Sequence, residues 1–175
     1  MILKNYKALK CAINKKSQWQ YYSCVGVVAT DGTAIITIYQ SYSSTQGIDG
    51  YNYGSLCLNR DITALIGTGT TEPTINDYQL ENDISSSFSN LAISSNVSNN
   101  VGETYAYERI ITITGLNNTS DDITISEIGL QKNMQYANST NATNKKVLLV
   151  RHLLDTPITV APNETFSITL IWRED

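Results

Sequence analysis

His152 is the only histidine of the chain, and so its one side chain that could exchange a proton near neutral pH without a displaced pKa. It lies in Leu-Leu-Val-Arg-His-Leu-Leu-Asp, residues 148–155, beside Arg151 and three residues before Asp155. A histidine with an acid partner is half of a nucleophile triad. The other half needs a serine or cysteine on a sharp turn, and no Gly-x-Ser-x-Gly run occurs. A structural or interface histidine is the plainer reading.

Other suggestive residues fail similar tests. Gly-Thr-Gly-Thr-Thr-Glu-Pro, residues 67–73, is glycine-rich like a phosphate loop, but it lacks the lysine and hydroxyl that engage phosphate and metal, and it runs into Pro73. It reads as a turn. Asp121 and Asp122 could offer oxygens to Ca²⁺, yet their spacing matches no EF-hand and more simply opens a strand turn. Cys11, Cys24 and Cys57 form neither a CxxC pair nor a zinc set; they read as buried thiols of a chain made in a reducing cytosol. The expectation is a protein without catalytic residues, metal or cofactor. The sequons at Asn96, Asn138, Asn141 and Asn163 are what so much Asn, Ser and Thr produces by chance.

Recognition chemistry has better candidates. Residues 39–55 set Tyr39, Tyr42, Tyr51 and Tyr53 among Ser, Gly, Asn and Gln, a mixture of rigid amphipathic rings and adaptable polar groups that suits a partner protein or a sugar. The bland alternative is that these rings pack beneath their own loop. Near the start, Leu3, Tyr6 and Leu9 recur at helical spacing among Lys7, Lys10, Lys15 and Lys16. Residues 1–18 therefore read as an arm or short helix that could order on a neighbouring molecule. They lack the apolar run and cleavage site of a signal peptide.

The elements that must position these residues are strands. Thr33 to Gln40, Thr104 to Gly115, Ile123 to Leu130, Val147 to Leu154 and Thr165 to Trp172 carry the alternation and the β-branched and aromatic residues of strands, between Asn, Asp, Pro or Gly clusters. Asn-Arg-Asp-Ile-Thr-Ala-Leu-Ile-Gly, residues 59–67, fits one helical turn or a short strand. The polar stretches 94–102 and 137–146 read as exposed connections, and Pro157 as a strand end before a turn through Pro162, Asn163 and Glu164. Residues 19–175 are expected to form a single all-β domain, an antiparallel β-sandwich such as a jelly roll, with a closed barrel as the alternative.

Composition narrows the function. The 175 residues carry 12 basic and 16 acidic side chains, a net charge of −4, and only 16% charged residues, against about 25% in ordinary soluble domains. No basic face is available to neutralise phosphates, so nucleic acid is not an expected partner. Nor does any apolar run approach the roughly 20 residues that cross a bilayer, so no membrane partner is expected.

Three blocks in fixed order are familiar: IGTGTTEPTINDYQLENDIS from residue 66, YERIITITGLNNTSDDITISEIGL from residue 107, and LLVRHLLDTPITVAPNETFSITLIW from residue 148. Together they resemble virion structural proteins of tailed bacteriophages, those of fibres, tails and head accessories. The match covers about the last 110 residues; the order of the blocks is more specific than any one of them. Asn163 stands where the pattern usually has glycine, a tolerable exchange because asparagine also visits left-handed backbone. The resemblance implies a non-enzymatic component of the virion, made in the host bacterial cytoplasm. Such a protein forms homo-oligomers and binds capsid, neck or tail proteins, with fibre anchoring as one role. A carbohydrate-binding module for host attachment, with the tyrosine-rich segment on a host glycan, is the alternative; a glycan depolymerase comes third. Within this frame Gly129 should permit a bend or close backbone approach, and Glu127 should make a structural contact.

Overall fold

Alternating β-branched residues bury one face of a strand and wet the other, so a chain with this pattern must stack two sheets. The computed structural model describes residues 21–39, 62–99, 107–138 and 141–174, and these form two antiparallel sheets. The strands are β1 (Tyr21–Val28), β2 (Ala34–Tyr39), β3 (Ile62–Gly67), β4 (Phe88–Asn99), β5 (Tyr107–Asn117), β6 (Ile123–Asn138), β7 (Asn141–Val160) and β8 (Thr165–Glu174). The protein is all-β and sandwich-like.

The larger sheet is organised by β6. Its whole length pairs with β7 on one edge, from Ile123 opposite Val160 to Asn138 opposite Asn141. On its other edge β3 pairs with residues 127–132 and β2 touches at Tyr136, with β1 outside β2. The smaller sheet is β4-β5-β8. Ile111, Ile113, Phe166 and Ile168 of the small sheet meet Ile66, Ile125, Ile128, Leu130, Val147 and Leu149 of the large one in the main core. Phe88 and Phe166 pack edge to face there, ring centroids 5.1 Å apart.

Several local expectations change. Of the two readings of residues 59–67, the short strand holds over 62–67 and the helical turn does not, because these residues pair in register with β6. The polar stretches 94–102 and 137–146 are not simply connections: β4 continues to Asn99 opposite Tyr107, and β6 and β7 stay paired out to Asn138 and Asn141. Backbone pairing needs no apolar side chain, so a hairpin can run on through polar text. Pro157 does not end β7. It falls where pairing with β6 is interrupted, between Leu153 and Ile158, a position that tolerates a residue without an amide hydrogen. Asn163 does take left-handed backbone, with φ 60°.

Hydrogen bonds gather three connections at one end of the sandwich. The Asn118 amide donates to the Ser87 carbonyl, 3.0 Å, and the Asn163 amide to the Asn117 carbonyl, 3.0 Å. Asn117, fully buried, spans two turns by donating from Nδ2 to the carbonyls of Asp121 and Val160, both at 2.9 Å. The segment 68–87 between β3 and β4 reaches the same end, fixed by pairing of Gly67 with Asp83 and by the Ile84 amide on the Ile66 carbonyl.

Candidate functional site

The outer face of the large sheet is not solvated where β3, β6 and β7 meet. The segment 68–83 lies over it, and a second small apolar cluster, Leu65, Leu80 and Leu148, forms beneath that cover. Gly129 of β6 makes room for it: a Cβ there would stand 2.9 Å from Leu80 Cδ2 and 3.0 Å from Leu148 Cδ1. With both faces covered, residues 125–131 of β6 are buried without interruption.

Beside this cluster is a buried ionic network. Glu127 of β6 is completely buried and Arg151 of β7 nearly so. The Arg151 guanidinium donates from Nε to Glu127 Oε1, from Nη1 to Asp77 Oδ2 at 2.5 Å, and from Nη2 to the Thr71 carbonyl at 3.0 Å. Glu81 Oε2 lies 3.5 Å from Nη2. The Glu81 amide in turn donates to Glu127 Oε1, 3.2 Å, and Ser126 Oγ donates to the Gly69 carbonyl, 3.0 Å. One cation thus ties the covering segment to two strands of the sheet.

Glycine is required where the segment leaves β3. A Cβ on either Gly67 or Gly69 would come within 2.5 Å of Glu127 Oε2. The segment also braces itself. Glu81 accepts the amides of Thr70 and Thr71, both at 2.8 Å, and the Thr71 hydroxyl; Asp77 accepts the Thr74 amide and hydroxyl at 2.9 and 2.6 Å.

These contacts displace the titrations. Burial pushes the Asp77 carboxyl up, but the Thr74 donors and Arg151 outweigh it, and the net pKa lies below the ordinary aspartate value. The Thr71 amide and hydroxyl hold Glu81 below the ordinary glutamate value. Burial pulls Arg151 down, but Asp77 and Glu127 more than offset this and leave it raised. An acid–base catalyst must reach its substrate; Glu127, enclosed beneath the segment, instead holds the segment in place.

The anticipated site residues fare differently. His152 lies on β7 opposite Ile128, partly buried, with its pKa lowered by burial against the opposing pull of Asp155. Tyr39 closes β2 opposite Tyr21. Leu3, Tyr6, Leu9, Tyr42, Tyr51 and Tyr53 lie outside the described residues, as do Cys11 and Cys57. Asp121 and Asp122 are exposed in the β5–β6 turn. Among the described residues no group of three His, Cys, Asp or Glu side chains is placed to hold a metal, and no helix is long and apolar enough to cross a membrane. Sequence reasoning passed over Asp77 and Glu81 as site residues; the only signal was that both belong to the first of the three blocks, Arg151 to the third and Glu127 to the second.

The surface around the network is polarised. Glu72, Asp77, Glu81 and Asp83 belong to the covering segment, and Asp121, Asp122 and Glu164 to turns at the same end; the nearest base among the described residues is the committed Arg151. Further along the same hairpin, roughly 35 Å from Asp122 at about 3.3 Å per residue, stand Lys132, Lys145 and Lys146. There Lys145 engages Asp31 at 2.5 Å and holds its carboxyl well below the usual carboxylate range.

Comparison of the chain with protein-family models, with curated proteins and with solved structures gives no match.

Proposed function

We propose that this chain is a non-enzymatic structural component of a bacteriophage virion, an accessory of head, neck or tail that self-associates. The observation that carries the reading is where the three resembling blocks meet. Gly67, Gly69, Asp77 and Glu81 of the first, Glu127 of the second and Arg151 of the third converge on a single network that fastens a surface segment to a sheet. Their most distinctive polar residues are thus committed to holding a shape, and a protein that works by presenting fixed surfaces to neighbours needs that of its residues.

Mass spectrometry of purified particles from a host carrying the gene is the direct test. The reading expects the chain in intact particles at a fixed ratio to the major capsid protein. Its absence from particles, together with retention of a host glycan by the purified chain, would replace this reading with the carbohydrate-binding alternative.

A further inference from the structure

At the edge of a sheet every second residue points its amide and carbonyl away from its own sheet, where another strand can pair with them. Proteins protect such edges with bulges, prolines, charges, short strands or a covering segment. Most edges here carry such a device. β1 shifts register between Ser23 and Val27, and β4 between Ser89 and Ala92, where Asn90 takes φ 54°. β7 breaks register with β6 twice and contains Pro157. β3 is only six residues long, and the chain at Asp83 and Ile84 lies along it.

β8 carries none of them. Its ten residues keep one unbroken register with β5, and Thr165 to Trp172 contain no charge, glycine or proline. The Asn117 amide donates to the Glu164 carbonyl at 2.9 Å, one register step before the strand. Bonded pairs recur at every second step from there. Phe166, Ile168 and Leu170 therefore direct their backbone groups to β5, while Thr165, Ser167, Thr169 and Ile171 turn theirs outward. Nothing among the described residues bonds to that outward row. Beside it on the outer face, Ile171, 58% exposed, stands opposite Ile110, 39% exposed.

We infer that β8 pairs antiparallel with β8 of a second copy across a two-fold axis, joining the two three-stranded sheets into one. The inference rests on the self-association proposed above and names the strand that makes it. Outward groups lie only on odd-numbered residues, so odd must meet odd and the axis must pass through a residue. Through Leu170, it sets Thr169 against the copy's Ile171 and Ser167 against its Arg173, and no like charges meet. Through Thr169, it would set Glu174 against the copy's Glu164, a repulsive pair. The pairing about Leu170 adds about eight backbone hydrogen bonds. It also closes, because each copy covers the other's edge. The outer row, Thr169 included, stays in water, since a strand added at an edge extends the sheet without covering its face.

The test is amide hydrogen exchange of the full chain, read residue by residue at low and high concentration, with light scattering on the same samples. In samples heavier than the 19.3 kDa of one chain, the amides of Ser167, Thr169 and Ile171 should exchange at least about tenfold more slowly than in monomeric ones. Those of Phe166, Ile168 and Leu170, bonded to β5, should be protected in both. Ile171→Pro removes an outward donor and no bond to β5; it should fold and raise the concentration needed for association by at least about tenfold. Assembly in which the amides of Ser167, Thr169 and Ile171 still exchange freely would overturn the edge pairing and leave self-association intact. So would protection of those amides in the monomer, which would mean that the chain covers its own edge. A wild type monomeric at every concentration would instead remove self-association itself, and the pairing with it.

Discussion

The two sheets treat their outer faces in opposite ways. On the small sheet, Thr112, Thr114, Ser167 and Thr169 alternate with buried Ile111, Ile113, Phe166 and Ile168, and the outer row meets water. On the large sheet the outer row contains Glu127, Gly129 and Arg151, and a segment of the chain's own backbone covers it. A solvated face asks only for polar side chains, whereas on a covered face each buried polar group is costly unless it is paired. The difference explains why one sheet tolerates a run of interchangeable Thr and Ser while the other carries glycines that cannot accept a Cβ and charges that must meet.

Removing the cation should break this contrast most severely. Arg151→Ala would leave Glu127 buried without its counter-charge, an arrangement that costs about 3–5 kcal/mol, and chemical denaturation should register it as a lower midpoint. Replacing Arg151 and Glu127 together by Met and Leu should recover much of that loss, since apolar residues of similar volume often substitute well for a buried ion pair. Equal losses from the single and double replacements would mean that packing, not charge, holds the segment. Next in size comes Gly67→Ala, whose Cβ would fall 2.5 Å from Glu127 Oε2 and 2.8 Å from the Asn82 carbonyl. Overpacking of that kind costs about 1–3 kcal/mol.

Acid should loosen the covered face before the rest. Asp77 and Glu81 have folded pKa values below their ordinary 3.8 and 4.5. The unfolded chain therefore binds protons first as pH falls, and the stability these groups contribute is complete above about pH 5 and lost as pH drops through their folded values. His152 acts earlier and in the same direction. Its folded pKa lies below 6.5 because of burial, so stability declines as pH falls from about 6.5 toward that value. Hydrogen exchange across a pH series should show the amides of Thr70 and Thr71 losing protection in acid before those of Ile111 and Ile113. Simultaneous loss would mean that the network and the main core open as one unit.

Legibility in the sequence followed the same division. Of the small sheet, β5 and β8 were readable, because Ile111, Ile113, Phe166 and Ile168 alternate with Thr112, Thr114, Ser167 and Thr169; β4 was not read as a strand. The structural role of Glu127, the close approach at Gly129 and the left-handed Asn163 were also readable, each from one residue in a strand or turn context. The cover was not. Asp77 and Arg151 are 74 residues apart, and nothing local in Thr-Ile-Asn-Asp-Tyr says that its aspartate is engaged by a distant guanidinium. β3 was ambiguous for a related reason: a strand buried on both faces loses the alternation that identifies strands. β4 and the polar ends of β6 and β7 were hidden because backbone pairing leaves no signature in side chains that face water.

Smaller effects sharpen the comparison at the turns and on the open face. Asn163→Ala forces an ordinary side chain into φ 60° and should cost about 1 kcal/mol, while Asn163→Gly should cost little. The smallest effect is expected for Thr169→Lys on the outer row of the small sheet. Thr169 is exposed opposite Thr112 in the β5–β8 register, and a lysine there can extend into water without displacing a buried atom. Stability should stay within about 0.5 kcal/mol of the wild type, and the mass in solution should not change. A markedly lower midpoint at high protein concentration, absent at low concentration, would mean that a partner copy covers this face as well. The contrast between the sheets would then lie in what covers each, the chain itself on one and a neighbour on the other.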